Sequence, residues 1–352
     1  MLLSALSAAA CILLLPGDYG QIGTKERQAW KDMQDSVIQI VRDGRGYGSA
    51  ALVDSKGLFL THLGTVYADR VSGRLANGRT VTLYLKSSDG PTQLAVLQAE
   101  DWMRSARPLA PASNLQPGET LLAVLPSGII RAEFVSGKRY GIVAPSRRLM
   151  PLSEISFEAP ADLIGGAMVI TSTGRLVGFL NAALHPANDA NAQIKPMEMR
   201  GINGDSVEPM VKAAAGALLA PKKRFGPADM TVAYTPAPMA FDKALKSLLR
   251  GQDVPRPSIG VDVKNAEGGG ALIDLIHAGS SAEEAGLLKG DVVIQIDARR
   301  IKDQVDLARA VMDHEIGASM RVKVKRGRQI LIVPVRVQSR TGKSPADPAS
   351  AT

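Results

Sequence analysis

Between Ser36 and Leu184 the chain is a succession of short β-rich runs broken by Gly, Pro, Asn and Asp. Val37–Val41, Ser49–Val53, Leu58–Thr61, Thr120–Leu125 and Leu176–Leu180 are such runs. Turn signals such as Ala76-Asn77-Gly78 and Ser172-Thr173-Gly174 separate them. Many short strands at that spacing can bury their apolar faces only by closing into a barrel or stacking as a sandwich. With aromatics at only 4%, the core must be built from Leu, Ile, Val, Ala and Met.

The pattern changes on both sides of this region. Residues 24–36 read as a short amphipathic helix with Thr24 as N-cap, and 18–35 are assigned as an N-terminal helical segment. Residues 185–256 carry no strong strand pattern and read as a partly helical connector, with helices expected at 206–219 and 239–249. Residues 257–338 alternate strand and helix. Strands are expected at 258–263, 270–276, 291–296, 320–325 and 330–337, with helices at 280–286 and 303–314. The tail 339–352, rich in Ser, Pro, Ala and Thr, is expected to be disordered.

Composition excludes several classes. The single cysteine, Cys11, rules out an intrachain disulfide and any cysteine-based metal cluster. Four scattered histidines lack ligand spacing, so neither metal nor cofactor is expected. The net charge of +8 is spread along the chain, with patches at Arg147-Arg148, Lys222–Arg224 and Arg321–Arg328. Such patches favour anionic surfaces, but no nucleic-acid-reading pattern accompanies them, and no nucleic-acid partner is expected. The uncharged run of 14 residues, Leu2–Leu15, suits a signal-peptide core better than a transmembrane helix. Residues 1–17 are therefore expected to be a signal peptide or short anchor, and the protein to be exported to the periplasm or cell envelope.

Three segments resemble the catalytic motifs of HtrA-type serine proteases. GLFLTHLGTV from Gly57 to Val66 resembles the histidine motif, with Gly64 in the histidine slot. PTQLAVL from Pro91 to Leu97 resembles the aspartate motif, with Gln93 in the aspartate slot. DLIGGAMV from Asp162 to Val169 resembles the serine motif, with Ile164 in the serine slot. The segment from Gly279 to Ile294 resembles the centre of an HtrA PDZ domain. The resemblance implies a mainly β protein: a trypsin-like double six-stranded β-barrel over 36–184, then a PDZ domain, an α+β partly open barrel, over 257–338.

A triad needs a hydroxyl nucleophile, an imidazole to take its proton and a carboxylate to orient that imidazole. Ile164 has no nucleophilic atom, Gly64 has no side chain, and Gln93 carries no charge. Asp162 stands where the family has the oxyanion-loop glycine, and it adds negative charge near a would-be oxyanion. The expectation is a pseudoenzyme without a catalytic residue. The alternative is an active serine endopeptidase with a rearranged site, for which His62 with Asp89 and Ser153, Ser156 or Ser172 are the candidates. A third reading is a structural envelope component with a vestigial groove.

A PDZ domain adds an extended peptide to a sheet edge beside a helix. The resemblance assigns Ile259, Gly260 and Val261 to the loop that receives the peptide's terminal carboxylate. Val261 and Val263 on the strand, with Leu307 and Val311 on the facing helix, are the candidate pocket walls; Val263, Leu307 and Val311 read equally well as plain core residues. The expected function is an adaptor, sensor or regulator that binds protein C termini or extended peptides, with a true HtrA protease as a possible partner. HtrA relatives often form trimers through N-terminal aromatics, and Trp30 is the one candidate for such a homo-oligomer contact.

Overall fold

The computed structural model describes residues 22–102, 106–125, 128–143, 149–157, 166–181, 183–184 and 231–340. The apolar N-terminal segment, the helix expected at 206–219, the tail beyond 340, and both Asp162 and Ile164 lie outside them. The chain divides into two compact units, and among the described residues the boundary falls between Gln252 and Asp253.

In the first unit a helix, Thr24–Met33, and a 3-10 turn, Gln34–Ser36, lead into strand β1. Six strands follow: β1 (Val37–Arg42), β2 (Arg45–Asp54), β3 (Leu58–His62), β4 (Arg70–Arg74), β5 (Thr80–Asp89) and β6 (Leu94–Ala99). They close in the order β1-β2-β3-β6-β5-β4, with β4 pairing back onto β1. Alternation aims Ile38, Ile40, Leu52, Phe59, Leu83 and Leu97 into one core. Trp102 packs edge-on against Phe59, with ring centroids 5.0 Å apart.

The second sheet contains β7 (Thr120–Leu125), β8 (Gly128–Val143), β9 (Leu149–Phe157), β10 (Met168–Thr171), β11 (Leu176–Phe179), β12 (Ala183–Leu184) and β13 (Thr231–Pro236). Six run in the order β11-β10-β7-β8-β9-β13, and β12 adds to β8. An antiparallel bridge between Asn181 and Tyr234 joins the two ends, curling the sheet on itself. The mainly β architecture with two barrel-like sheets expected from the sequence is observed, but the second sheet has seven strands where six were expected.

The connector assigned to 185–256 is corrected at its C-terminal end. β13 is the last strand of the second sheet, so this barrel does not finish at Leu184. The run is only six residues and ends in Pro, so its alternation is weak on its own. Packing decides it: Val232 and Tyr234 join Met150 and Leu152 on one face, while Ala233 enters the main core on the other. The helix Pro238–Leu249 then buries Phe241, Ala244, Leu245 and Leu248, a single stripe at helical spacing, against the β-strands of the same unit. Ser87 Oγ donates to Leu248 O at 2.7 Å, tying the end of that helix to β5.

The second unit contains β14 (Arg256–Ser258), β15 (Val261–Asn265), β16 (Ala271–Ile276), β17 (Val292–Ile296), β18 (Arg299–Arg300), β19 (Ser319–Arg326), β20 (Gln329–Arg336) and β21 (Gln338–Arg340). Its main sheet runs β15-β16-β17-β19-β20, with β18 paired to β17 and β14 paired separately to β21. Helices span Ser281–Glu284 and Gln304–Met312. Ser280 Oγ accepts from Glu283 N, and Asp303 Oδ1 from Asp306 N, so each helix starts on a side-chain N-cap. The expected tail is corrected at its start, because Ser339 and Arg340 pair with Pro257 and Arg256.

Candidate active site and peptide groove

His62 ends β3, and the 3-10 turn Leu63–Thr65 follows it directly. The turn folds the chain back so that Gly64 N donates to His62 Nδ1 at 2.9 Å, while Thr65 Oγ1 donates to His62 O at 2.7 Å. With Nδ1 accepting, the proton of the neutral ring sits on Nε2, which donates to Asn181 Oδ1 at 2.5 Å. Asn181 is fixed in turn by its backbone pairing with Tyr234 and by Nδ2 donating to Phe179 O at 3.2 Å. Burial pulls the His62 pKa down to about 4, outweighing the opposing bond to Asn181.

The slot residues arrive around this imidazole differently. Gly64 lies in the turn, fully inside the fold, and serves His62 through its backbone. Gln93 precedes Leu94, the residue paired with His62, and adopts a left-handed φ of 57°. Its Nε2 turns back onto Gly90 O, its carbonyl accepts from Leu63 N at 2.8 Å, and its buried Oε1 has no partner. Gln93 therefore builds the turn next to the histidine and does not orient the ring. Gly166 is the first described residue of the Asp162–Val169 segment that carries the serine slot. A Cβ there would lie 3.7 Å from the His62 ring, so Gly166 itself passes beside the imidazole.

The replacement candidates are not assembled into a triad. Asp89 Oδ2 accepts from both Thr92 N and Thr92 Oγ1, at 2.9 and 2.6 Å, and so holds the β5–β6 turn. Ser153 is fully buried with its hydroxyl unpartnered, and Ser156 is buried on the same strand. Ser172 lies in the turn between β10 and β11. Chemically, the lone pair that a general base needs is the Nδ1 pair already given to Gly64 N–H. Hydrolysis through His62 therefore requires that bond to open. The residue sequence reasoning missed is Asn181, which lies in no motif and becomes visible only through the fold.

In the second unit β15 is the terminal strand of its sheet, and among the described residues its outer edge is unpaired. The helix Gln304–Met312 packs against β15, leaving a strand edge beside a helix. Ile259 is buried, and its carbonyl accepts from Ala282 N at 3.0 Å. Gly260 has φ +77°, and a Cβ on it would fall 2.2 Å from Ser280 Cβ, so the turn into β15 requires glycine. Its N–H is capped by Ser258 Oγ at 3.1 Å, leaving it engaged within the loop. Val261 and Val263 are half-buried on the edge strand. Leu307 and Val311 are buried in the domain core, where their side chains serve the packing of the helix.

The PDZ domain family model matches residues 257–337. Relatives named as serine proteases match most of the chain. A Serine protease Do-like HtrA of Lactobacillus helveticus is 24% identical over 81% of this chain and 66% of its own length. The Putative serine protease HhoA of Synechocystis sp. is 25% identical over 83% of this chain and 70% of its own. The solved HtrA-type protease AlgW with decapeptide shares the fold at TM-score 0.59 and 16% identity, covering 90% of this chain and 99% of that one. By fold and domain order, the chain is similar to HtrA-type proteases. It spans about two thirds of the length of the first of those relatives. The expectation of a non-enzyme is corrected by the same findings: relatives that match four-fifths of the chain carry the name of serine protease, which points toward the enzymes. Empty motif slots describe one geometry of catalysis and do not by themselves exclude another.

Proposed function

We propose that this HtrA-type chain acts on polypeptides. Its PDZ domain captures an extended peptide or protein C terminus, and its double barrel serves as a serine-type endopeptidase part with a rearranged catalytic site. The observation that carries the reading is the open edge of β15 beside the 304–312 helix, which suits addition of a peptide strand. Half-buried Val261 and Val263 on that strand favour an apolar peptide terminus. Hydrolysis is supported by the names of the relatives. His62 is the imidazole held beside Gly166, and it becomes a base once Nδ1 leaves Gly64 N–H.

The apolar run Leu2–Leu15 supports export to an envelope compartment. Assembly with further copies, or with an HtrA protease, fits the trimeric habit of the family, and Trp30 on the N-terminal helix is half-buried in a single copy.

The full chain tests both halves. A C-terminal peptide library is expected to give selective binding that Gly260→Glu loses, and casein is expected to be cleaved by the chain and spared by His62→Gln. Peptide binding unchanged by Gly260→Glu removes the groove assignment. Casein left intact by a chain that binds peptide removes the endopeptidase half.

A further inference from the structure

We propose that the outward face of the β19–β20 hairpin is a docking surface for an anionic phospholipid bilayer. The two strands pair without a register shift from Ser319↔Arg336 to Arg326↔Gln329. Opposite residues share a face, so Lys325 with Ile330, Lys323 with Ile332, and Arg321 with Pro334 form one outward layer. The alternate residues Met320, Val322, Val324 and Val335 point into the core. Ile330 and Ile332 are 59% and 65% exposed, and cations stand directly across from both.

Three of the cations on this face are unspent, while Arg321 Nε lies 3.6 Å from Asp297 Oδ1. Among the described residues Lys323, Lys325 and Arg328 have no ion pair, and Arg328 lies in the exposed turn joining the strands. Asp297, a carboxylate at its border, is already engaged by His314 Nε2 at 2.9 Å and by Arg321 N at 2.9 Å. An exposed layer with branched aliphatic tips among flexible cations matches a headgroup region. The tips enter the acyl boundary, and the ammonium and guanidinium groups reach the phosphates.

Other occupants fit less well. Nucleic acid offers phosphates but nothing for Ile330 and Ile332 to bury against. A second copy would bring the same cations face to face. Strand addition along β20 is opposed by Pro334, which has no N–H to donate on this edge.

The test is a local one on the full chain. A polarity-sensitive fluorophore is attached at Gln329→Cys in a Cys11→Ser background. Phosphatidylcholine vesicles with added phosphatidylglycerol are expected to shift its emission to the blue; pure phosphatidylcholine vesicles are not. Lys323→Glu/Lys325→Glu and, separately, Ile330→Ser/Ile332→Ser are expected to weaken the response at least about tenfold in lipid concentration, and high salt to suppress it. No shift with anionic vesicles overturns the proposal. So does an equal shift with neutral vesicles, or a response to duplex DNA in place of lipid. Because the probe sits on the hairpin, membrane attachment elsewhere in the chain does not imitate the result.

Discussion

The Nε2–H of His62, at the end of β3, donates to Oδ1 of Asn181, just beyond β11, and both side chains are buried. One hydrogen bond thus connects the closed first barrel with the strand ends that close the second. The ring is neutral because burial lowers its pKa to about 4, from the ordinary 6.5. A lowered histidine pKa means that the unfolded chain binds the proton more readily. Stability of the double barrel is therefore complete above pH 6.5 and falls as pH drops toward about 4. The loss amounts to roughly 3 kcal/mol across that window. Urea denaturation at a series of pH values is expected to show this slope, and His62→Gln to flatten it.

A second buried polar group predicts a stability effect without any bearing on catalysis. Arg139 makes a two-pronged contact with buried Glu154, Nε at 3.0 Å and Nη2 at 3.2 Å. Tyr234, on the neighbouring strand β13, has its pKa raised by burial, with the Glu154 charge adding to the effect. Removing the guanidinium leaves a carboxylate in the sheet with its strongest partner gone. Arg139→Met is expected to cost about 1–3 kcal/mol in thermal or urea unfolding. Glu154→Gln with Arg139→Met is expected to recover part of that loss.

Strand runs, the PDZ pattern and the slots at Gly64 and Gln93 were legible because each is local: alternation, turn residues and motif spacing all act within about ten residues. β13 was not, since Thr231–Pro236 becomes a strand by pairing with β9, far earlier in the chain. The partner of His62 was hidden for the same reason, lying 119 residues away in a position that no motif marks. Leu307 and Val311 show the limit of helical spacing. Four residues apart guarantees a shared face but does not say whether that face meets the groove or the core, and here it meets the core.

Gly260 links the backbone to ligand binding. Its φ of +77° is disfavoured for any residue with a Cβ, and the Cβ itself would collide with Ser280. Gly260→Ala is expected to destabilise the PDZ unit by about 1–2 kcal/mol and to weaken peptide binding by moving the turn into β15. Ser280→Gly/Gly260→Ala relieves the collision but not the backbone strain, so it is expected to restore only part of both. Calorimetry and peptide anisotropy on the same variants separate the two contributions.

The PDZ unit is expected to answer acid in the opposite sense from the barrels. His314 Nδ1 lies 2.6 Å from Ala310 O and Nε2 lies 2.9 Å from Asp297 Oδ2, so both nitrogens face acceptors and the ring is suited to the doubly protonated form. Burial works against that charge, but the bonds to Ala310 and Asp297 and the charges of Asp297 and Asp313 prevail, and the pKa is raised above 6.5. Asp297 is held below its ordinary value, first by the bond from Arg321 N and then by the bond from His314. A raised histidine pKa gives stability that is fully present below 6.5 and is lost as pH climbs through the folded value. The depressed Asp297 keeps its own contribution until pH falls below 3.8. Between about pH 4 and 6.5 the PDZ unit therefore holds its stability while the double barrel loses it. Scanning calorimetry of the full chain is expected to show two transitions that draw apart on acidification, with the PDZ transition the higher relative to the barrel. His314→Gln is expected to remove the loss of PDZ stability as pH rises from 6.5 and to leave the acid slope of the barrel, set by His62, as it was.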